Sequence, residues 1–199
     1  MRVVAGELRS RRLHTVPGND TRPTSDRARA GLFDWLGPTV DGARVLDLYA
    51  GTGALGIEAL SRGAREAVFV ERARAAVRVL RRNLEELGLE GRSRVVEADL
   101  ARGLRPLAAK LGAFGLVLAD PPYAGAALAR LLEDEALESL LDADGSVLVE
   151  RSARVESGPG PTALHLRGTK RYGETAFDWW ERAASPAAAN LPEASEASA

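Results

Sequence analysis

The stretch Val45-Leu46-Asp47-Leu48-Tyr49-Ala50-Gly51-Thr52-Gly53-Ala54-Leu55-Gly56 constrains the chain more than any other. It opens with a short apolar run, the pattern of a buried parallel strand. It then turns through two glycines and enters a helix at about Ala54. A tight strand–helix turn with close backbone approach excludes a Cβ, which is why glycine stands there. The helix start that follows offers backbone N–H groups with no partner inside the helix. The plainest reading is a tight turn with no ligand. So many glycines would weaken an ordinary helix start, so the turn is expected to serve a ligand.

Two ligand classes use this geometry. Gly51, Gly53 and Gly56 satisfy G-x-G-x-x-G, the pattern of dinucleotide sites. Asp47, four residues before Gly51, separates the classes. A carboxylate there repels a pyrophosphate and suits a cation. Asp-x-x-x-Gly-x-Gly resembles the first motif of S-adenosylmethionine (SAM)-dependent methyltransferases, where an acidic group suits the cationic end of SAM.

Composition narrows the class. A chain of 199 residues, 45% hydrophobic, can bury one sizeable core. It has no cysteine, which excludes disulfides and thiolate metal sites. Its two histidines, His14 and His165, lie far apart in sequence, so no metal site is expected. No apolar run reaches the roughly 18 residues of a membrane span, and the N-terminus lacks a secretory apolar core. A cytoplasmic protein without membrane contact is expected. Nothing suggests an oligomer interface, so a monomer is expected. The net charge of −1 argues against a uniformly basic nucleic-acid binder. Residues 1–29, however, carry seven arginines against three acidic residues. Arginine forks onto phosphate oxygens and stacks on bases. The 25 arginines against two lysines fit GC-rich codon usage equally well.

Taken in order, residues 2–5 and 12–16 are short β-prone runs around a turn, which predicts a hairpin with Arg9, Arg11 and Arg12 at or just beyond its turn. Pro17-Gly18-Asn19-Asp20 reads as a loop. Thr24 or Ser25 is the predicted N-cap of a helix running to about Leu36, ended by Gly37-Pro38. Residues 1–40 thus form a basic extension. From 41 to 182 strands are predicted near 44–49, 66–71, 93–98, 114–119 and 145–150. Helices are predicted near 53–62, 72–87, 100–111 and 125–141. This alternation implies a doubly wound α/β fold with ligands at the carboxyl ends of the strands. Residues 163–167 and 175–180 then read as a closing hairpin around Lys170-Arg171-Tyr172-Gly173. Residues 183–199 are rich in Ala, Ser, Pro and Glu and are expected to be a disordered tail.

Four groups fall at the predicted strand ends: Asp47 with its glycine turn, Glu71, Asp99, and Asp120 with the residues after it. Glu71 can accept two hydrogen bonds from vicinal ribose hydroxyls, or it can simply sit at a helix start. Asp99 can accept from an adenine amino group while Leu100 offers a backbone N–H, or it can be an N-cap. Asp120-Pro121-Pro122-Tyr123 follows the apolar run Leu116-Val117-Leu118-Ala119. Consecutive prolines remove two backbone donors, so this loop presents acceptors: the Asp120 carboxylate and the Pro121 carbonyl. Such acceptors can hold the two hydrogens of an amino group on a flat base. Tyr123 supplies a face on which an extruded base can stack. A rigid turn beside a core tyrosine is the plainer alternative.

Asp120-Pro121-Pro122-Tyr123 resembles the (Asn/Asp)-Pro-Pro-(Tyr/Phe) motif of methyltransferases acting on amino groups. With Arg22-Pro23-Thr24-Ser25-Asp26-Arg27, the glycine stretch and Lys170-Arg171-Tyr172-Gly173, the chain is similar to the bacterial 16S rRNA guanine-N2 methyltransferases of the RsmD type over about residues 2–182. The resemblance implies a Rossmann-like seven-stranded methyltransferase fold with SAM as cofactor. It implies methyl transfer to the exocyclic N2 of one guanine of 16S rRNA in a partly assembled small ribosomal subunit. By position, Asp47, Gly51, Gly53, Glu71, Asp99 and Leu100 would serve SAM. Asp120, Pro121 and Tyr123 would act on the base, with Pro122 beside them. Arg9, Arg11, Arg12, Arg22, Thr24, Arg27 and the rest of Arg22–Arg29 would meet RNA. Asp120 stands where many relatives of the broad class carry Asn, and it lacks the amide donor.

Three rivals bear on the same residues. A DNA adenine-N6 methyltransferase would need a larger region to read duplex DNA than the extension and hairpin supply. An NAD-dependent oxidoreductase has Asp47 and the proline motif against it. A non-catalytic RNA-binding assembly factor would have no use for the acceptors at Asp120.

Overall fold

The computed structural model describes residues 1–16, 25–122, 126–156 and 158–182. The first helix, α1 (Asp26–Leu36), starts where Ser25 caps it: the Ser25 hydroxyl accepts the Ala28 N–H at 3.1 Å. Its buried face of Ala28, Leu32, Phe33 and Leu36 recurs at helical spacing. Gly37 ends it, and a 3₁₀ turn over Gly37–Val40 leads to the sheet.

Strand and helix then alternate: β1 (Arg44–Leu48), α2 (Ala54–Ser61), β2 (Glu66–Glu71), α3 (Arg74–Leu87), β3 (Ser93–Glu97), α4 (Arg105–Leu111), β4 (Phe114–Ala119), α5 (Ala126–Glu133), α6 (Ala136–Ser139), β5 (Leu141–Ser152), β6 (Leu164–Tyr172) and β7 (Thr175–Arg182). The seven strands form one sheet in the order β3-β2-β1-β4-β5-β7-β6. The first five are parallel, and β7 runs antiparallel between β5 and β6. This is the expected Rossmann-like architecture. The order reverses at β1, whose neighbours are β2 and β4, and a crevice opens beyond the carboxyl ends of β1 and β4.

Both faces of the sheet are covered. One core joins Leu32, Phe33 and Leu36 of α1 to Ile57, Leu60, Phe69, Leu80, Phe177 and Trp179, and takes in Val3 and Leu13. The other joins Leu46, Val68, Val70 and Val117 to Leu107, Leu128, Leu131, Leu137 and Trp180. Neighbouring residues on a strand point to opposite faces, so Trp179 and Trp180 each serve a different core. Trp179 meets Trp35 of α1 edge-to-face at 5.1 Å, with Lys170 over Trp35 and Arg167 over Trp179.

Several expected elements differ; the closing hairpin, expected to turn over Lys170–Gly173, keeps Lys170–Tyr172 in β6 and turns at Gly173-Glu174. The predicted helix 100–111 is a 3₁₀ turn over Leu100–Arg102 followed by α4. Pro106, in the first turn of α4, brings no N–H, and Asp134 takes the Leu104 N–H at 2.7 Å, so the chain restarts there. The predicted helix 125–141 is α5 and α6, separated where Asp134 accepts the Ala136 N–H at 3.0 Å. Strand β5 begins at Leu141 rather than near 145, because Phe114 pairs with Leu141 before the ladder bulges and resumes at Leu116 and Ser146. The turn-like Asp142-Ala143-Asp144-Gly145 occupies that bulge.

The N-terminal hairpin is reduced to one antiparallel bridge, Arg2 with Arg12, supported by backbone bonds between Val3 and Arg11 and between Leu13 and Met1. Its next donors leave the ladder: Val4 and Ala5 N–H go to the Glu58 carboxylate at 2.7 and 3.0 Å. Among the described residues no helix is long and apolar enough to cross a membrane. The expected tail, residues 183–199, lies outside the described residues.

Candidate active site

The glycine turn leaves β1 at Leu48. Tyr49 takes a left-handed backbone at φ 59°, a conformation that costs a bulky residue about 1–3 kcal/mol. Gly51 (φ 55°) and Gly53 (φ 89°) continue in the same region. Nothing stands within 4 Å of where a Gly51 Cβ would be, whereas a Cβ on Gly53 would lie 2.4 Å from Leu80. Gly53 is therefore fixed by packing, and Gly51 faces open space.

Three side chains hold this turn. Glu71, at the end of β2, accepts the Gly51 N–H at 2.9 Å, and its other oxygen takes the Arg72 and Ala73 N–H groups at 2.9 and 2.7 Å. Asp47 accepts the Gly56 N–H at 2.8 Å and is only 1% exposed. Asn83 of α3 donates to the Thr52 carbonyl at 2.9 Å. The direct electrostatic role expected of Asp47 thus comes with a structural one, since one oxygen is committed to the turn of α2.

Burial drives the Asp47 carboxyl up to about 7; the Gly56 N–H offsets part of this, and Glu71 adds to it. Asp120 follows the last residue of β4, and its N–H points to the Leu48 carbonyl at 3.4 Å. Its carboxyl is also held well above the usual range, by burial first, then by Glu150 and Asp47. Glu150 lies on β5, fully buried, and lines a small cavity with Pro121, Pro122, Leu128 and Arg151. Arg151 is itself engaged by Asp178, at 2.9 Å from its Nη2. Glu71, Asp47, Asp120 and Glu150 therefore form a run of carboxyls: beyond burial, Glu71 raises Asp47, and Glu150 and Asp47 raise Asp120. This donor set fits a cation and opposes a pyrophosphate, against the dinucleotide reading.

Asp99 caps the 3₁₀ turn by accepting the Ala101 N–H at 3.1 Å, and its second oxygen is 3.4 Å from Arg72 Nη1. Leu100 borders a cavity of about 250 Å³ with Tyr49, Leu104, Arg130 and Asp134. Pro121 is buried and Pro122 exposed. Tyr123, Arg22 and Thr24 lie outside the described residues. Arg9, Arg11, Arg12 and Arg27 are exposed, as an RNA contact requires. Arg29 departs from expectation: it is fully buried, with Nη2 2.9 Å from Asp26, bonded to the Arg2 carbonyl, and Nε 3.6 Å from Glu58. It ties α1 and the N-terminal segment to α2 and cannot meet a phosphate.

Sequence reasoning passed over Asn83, Glu58 and Glu150. The first two had a signal. Asn83 falls on the same helical stripe as Val77, Leu80, Leu84 and Leu87, and Glu58 interrupts the apolar run of α2. A polar side chain on an apolar face needs a buried partner. Among the described residues no cluster of acidic residues and histidines is arranged to hold a metal ion.

The fold, with this acidic, glycine-lined crevice at its switch point, is the Rossmann-like, seven-stranded fold of SAM-dependent methyltransferases. The chain belongs to the family described as Conserved hypothetical protein 95, which it matches over residues 1–181. It is 36% identical over 192 residues to "Ribosomal RNA small subunit methyltransferase D" of Escherichia coli (strain K12), covering 92% of this chain and 91% of that one. A hypothetical protein of Thermus thermophilus, solved as a structure, superposes with a TM-score of 0.75 at 34% identity, over 90% of this chain and 98% of that one. SMU.776, solved complexed with SAH, shares the fold at a TM-score of 0.60 and 14% identity, over 74% of this chain and 48% of that one.

Proposed function

We propose that the protein is an rRNA methyltransferase that moves a methyl group from SAM to the exocyclic N2 of a guanine in 16S rRNA. The observation that carries this is the juxtaposition, at the β1/β4 reversal, of the glycine turn and the Asp120-Pro121-Pro122 acceptors. The name of the Escherichia coli relative supports small-subunit rRNA as the substrate. The reading places SAM against Asp47, Gly51, Gly53, Glu71, Asp99 and Leu100. When bound, SAM supplies an electrophilic methyl group on a sulfonium.

The chain's own residues do the rest. Asp120 and the Pro121 carbonyl accept the amino hydrogens of the base and orient its nitrogen, so catalysis is largely positioning. They also stabilise the positive charge that develops on that nitrogen. The high proton affinity of Asp120 equips its carboxylate to take the hydrogen the amino group loses. Tyr123 stacks the extruded base. Residues 1–40 act as a basic extension on a catalytic domain of residues 41–182, with Arg9, Arg11, Arg12, Arg22, Thr24 and Arg27 on the RNA. The substrate is a partly assembled small subunit, and the enzyme works as a cytoplasmic monomer without a metal.

The test is transfer of labelled methyl from SAM to unmodified small subunits, naked 16S rRNA and duplex DNA, with the product nucleoside identified. N2-methylguanosine from subunits is the expected result. N6-methyladenine in DNA would overturn the substrate. SAM binding without transfer to any of them would overturn the catalytic reading.

A further inference from the structure

Among the described residues, Asn83 is the side chain that joins the N-terminal segment to the glycine turn. It is 1% exposed. Its Oδ1 accepts the His14 N–H at 2.8 Å. Its Nδ2 donates to the His14 carbonyl at 3.1 Å and to the Thr52 carbonyl at 2.9 Å. An amide has two donors and one acceptor oxygen, so a single side chain satisfies both backbone groups of His14 and still reaches the turn. No aspartate, serine or leucine of similar size can do all three.

The surroundings make this bridge a link between two binding surfaces. Thr52 sits between Gly51 and Gly53, in the turn assigned above to the cofactor. His14 follows Arg9, Arg11 and Arg12, all exposed. The segment is otherwise seated on the far parts of α2 and α3: Leu8 N–H on the Ser61 hydroxyl at 3.0 Å, the His14 ring on Glu86 at 2.8 Å, and Arg11 on the Glu86 carbonyl at 2.8 Å. The Asn83 bond continues from that seat to the glycine turn. A buried hydrogen bond of this kind is costly to leave unmade, so the positions of its two ends are not independent.

We propose that Asn83 is a positioning residue that couples RNA bound on the N-terminal segment to cofactor bound at the glycine turn. The coupling rests on the rRNA reading above. Linkage makes it reciprocal: RNA tightens the cofactor by the same factor as the cofactor tightens RNA. A subunit that fixes residues 9–14 fixes His14, and through Asn83 it fixes the Thr52 carbonyl.

The experiment measures the Kd of SAH by calorimetry, with and without saturating 16S rRNA, in three full-length proteins that melt cooperatively. In the wild type RNA should tighten SAH by about tenfold. Asn83→Ala breaks both ends: SAH should bind more weakly without RNA, and the RNA effect should vanish. His14→Pro removes the N–H that Oδ1 accepts and the ring that meets Glu86, but leaves the Asn83–Thr52 bond in place: SAH binding without RNA should hold near the wild type while the RNA effect vanishes. A purely structural Asn83 would lower melting temperature and leave the RNA effect intact. A wild-type RNA effect in either folded variant overturns the proposal, as does an absent effect in a wild type that binds both ligands. A wild type that binds SAH but no rRNA overturns the substrate reading and the coupling with it. In that case the SAH shift of Asn83→Ala, read without RNA, still decides whether Asn83 positions the turn.

Discussion

The two loops that meet at the β1/β4 reversal are held in opposite ways. The glycine turn after β1 is tied by three side chains, Glu71, Asp47 and Asn83, each accepting from or donating to its backbone. The loop after β4 is stiffened by its own prolines, and among the described residues no donor reaches the carboxyl at its head. Asp47 and Asp120 are both buried carboxyls with raised proton affinity, yet one oxygen of Asp47 is committed to a backbone N–H. On the proposed reading, the contrast separates a preorganised holder from a reactive acceptor.

The largest test of that contrast is Asp120→Ala. Turnover should fall by about 10²–10³-fold, the scale of losing one transition-state contact, while SAH affinity by calorimetry changes little. Equal losses in both would erase the division between the loops.

The second test uses pH. Asp47 holds its proton in the fold up to about 7, against 3.8 when unperturbed. Between those values the folded chain binds a proton that the unfolded chain has released. Stability therefore falls as pH rises through that window, by up to about 1.4 kcal/mol per pH unit, and levels off above it. Denaturant melts should show this slope in the wild type and a flatter one in Asp47→Asn. A cation at the turn favours the ionised form, so SAM affinity should rise with pH up to about 7.

A smaller effect is expected from Gly56→Ala. The added Cβ would stand 2.3 Å from the Phe69 ring and 3.0 Å from Asp47 Oδ2. Overpacking of this kind destabilises by about 1–3 kcal/mol, read as a lower denaturation midpoint. The smallest effect is electrostatic. Replacing Arg9, Arg11 and Arg12 by Gln should flatten the log–log salt dependence of rRNA binding by about 0.7 per lost phosphate contact. An unchanged slope would return those arginines to codon usage.

How far the sequence foretold this differs between the two loops. The glycine turn was legible because its constraints are local: spacing, apolar run and helix start all lie within the twelve residues Val45–Gly56. The proline loop's lack of N–H donors was legible for the same reason, since Pro121 and Pro122 are adjacent in sequence. The third and fourth carboxyls of the crevice were not equally so. Glu71 follows from its strand end, but Glu150 comes near Asp120 only because β4 and β5 pair in register, Ala119 beside Val149. Arg29 was misread because nothing local distinguishes it from Arg27. Its burial depends on Glu58, twenty-nine residues on, and on the Arg2 carbonyl. The strand at Leu141 was hidden because a bulge of Asp, Ala, Asp and Gly imitates a turn.

The three tryptophans carry an optical consequence. Trp179 and Trp180 face opposite cores from β7, and Trp35 packs on Trp179 from α1. Indole emission from this protein is a reading of one strand from both of its faces. Selective excitation of the indoles is thus a probe of how the closing hairpin seats against α1. The edge-to-face pair at 5.1 Å should dominate the near-ultraviolet circular dichroism, and cations over both rings make that signal responsive to anything that draws Lys170 or Arg167 away.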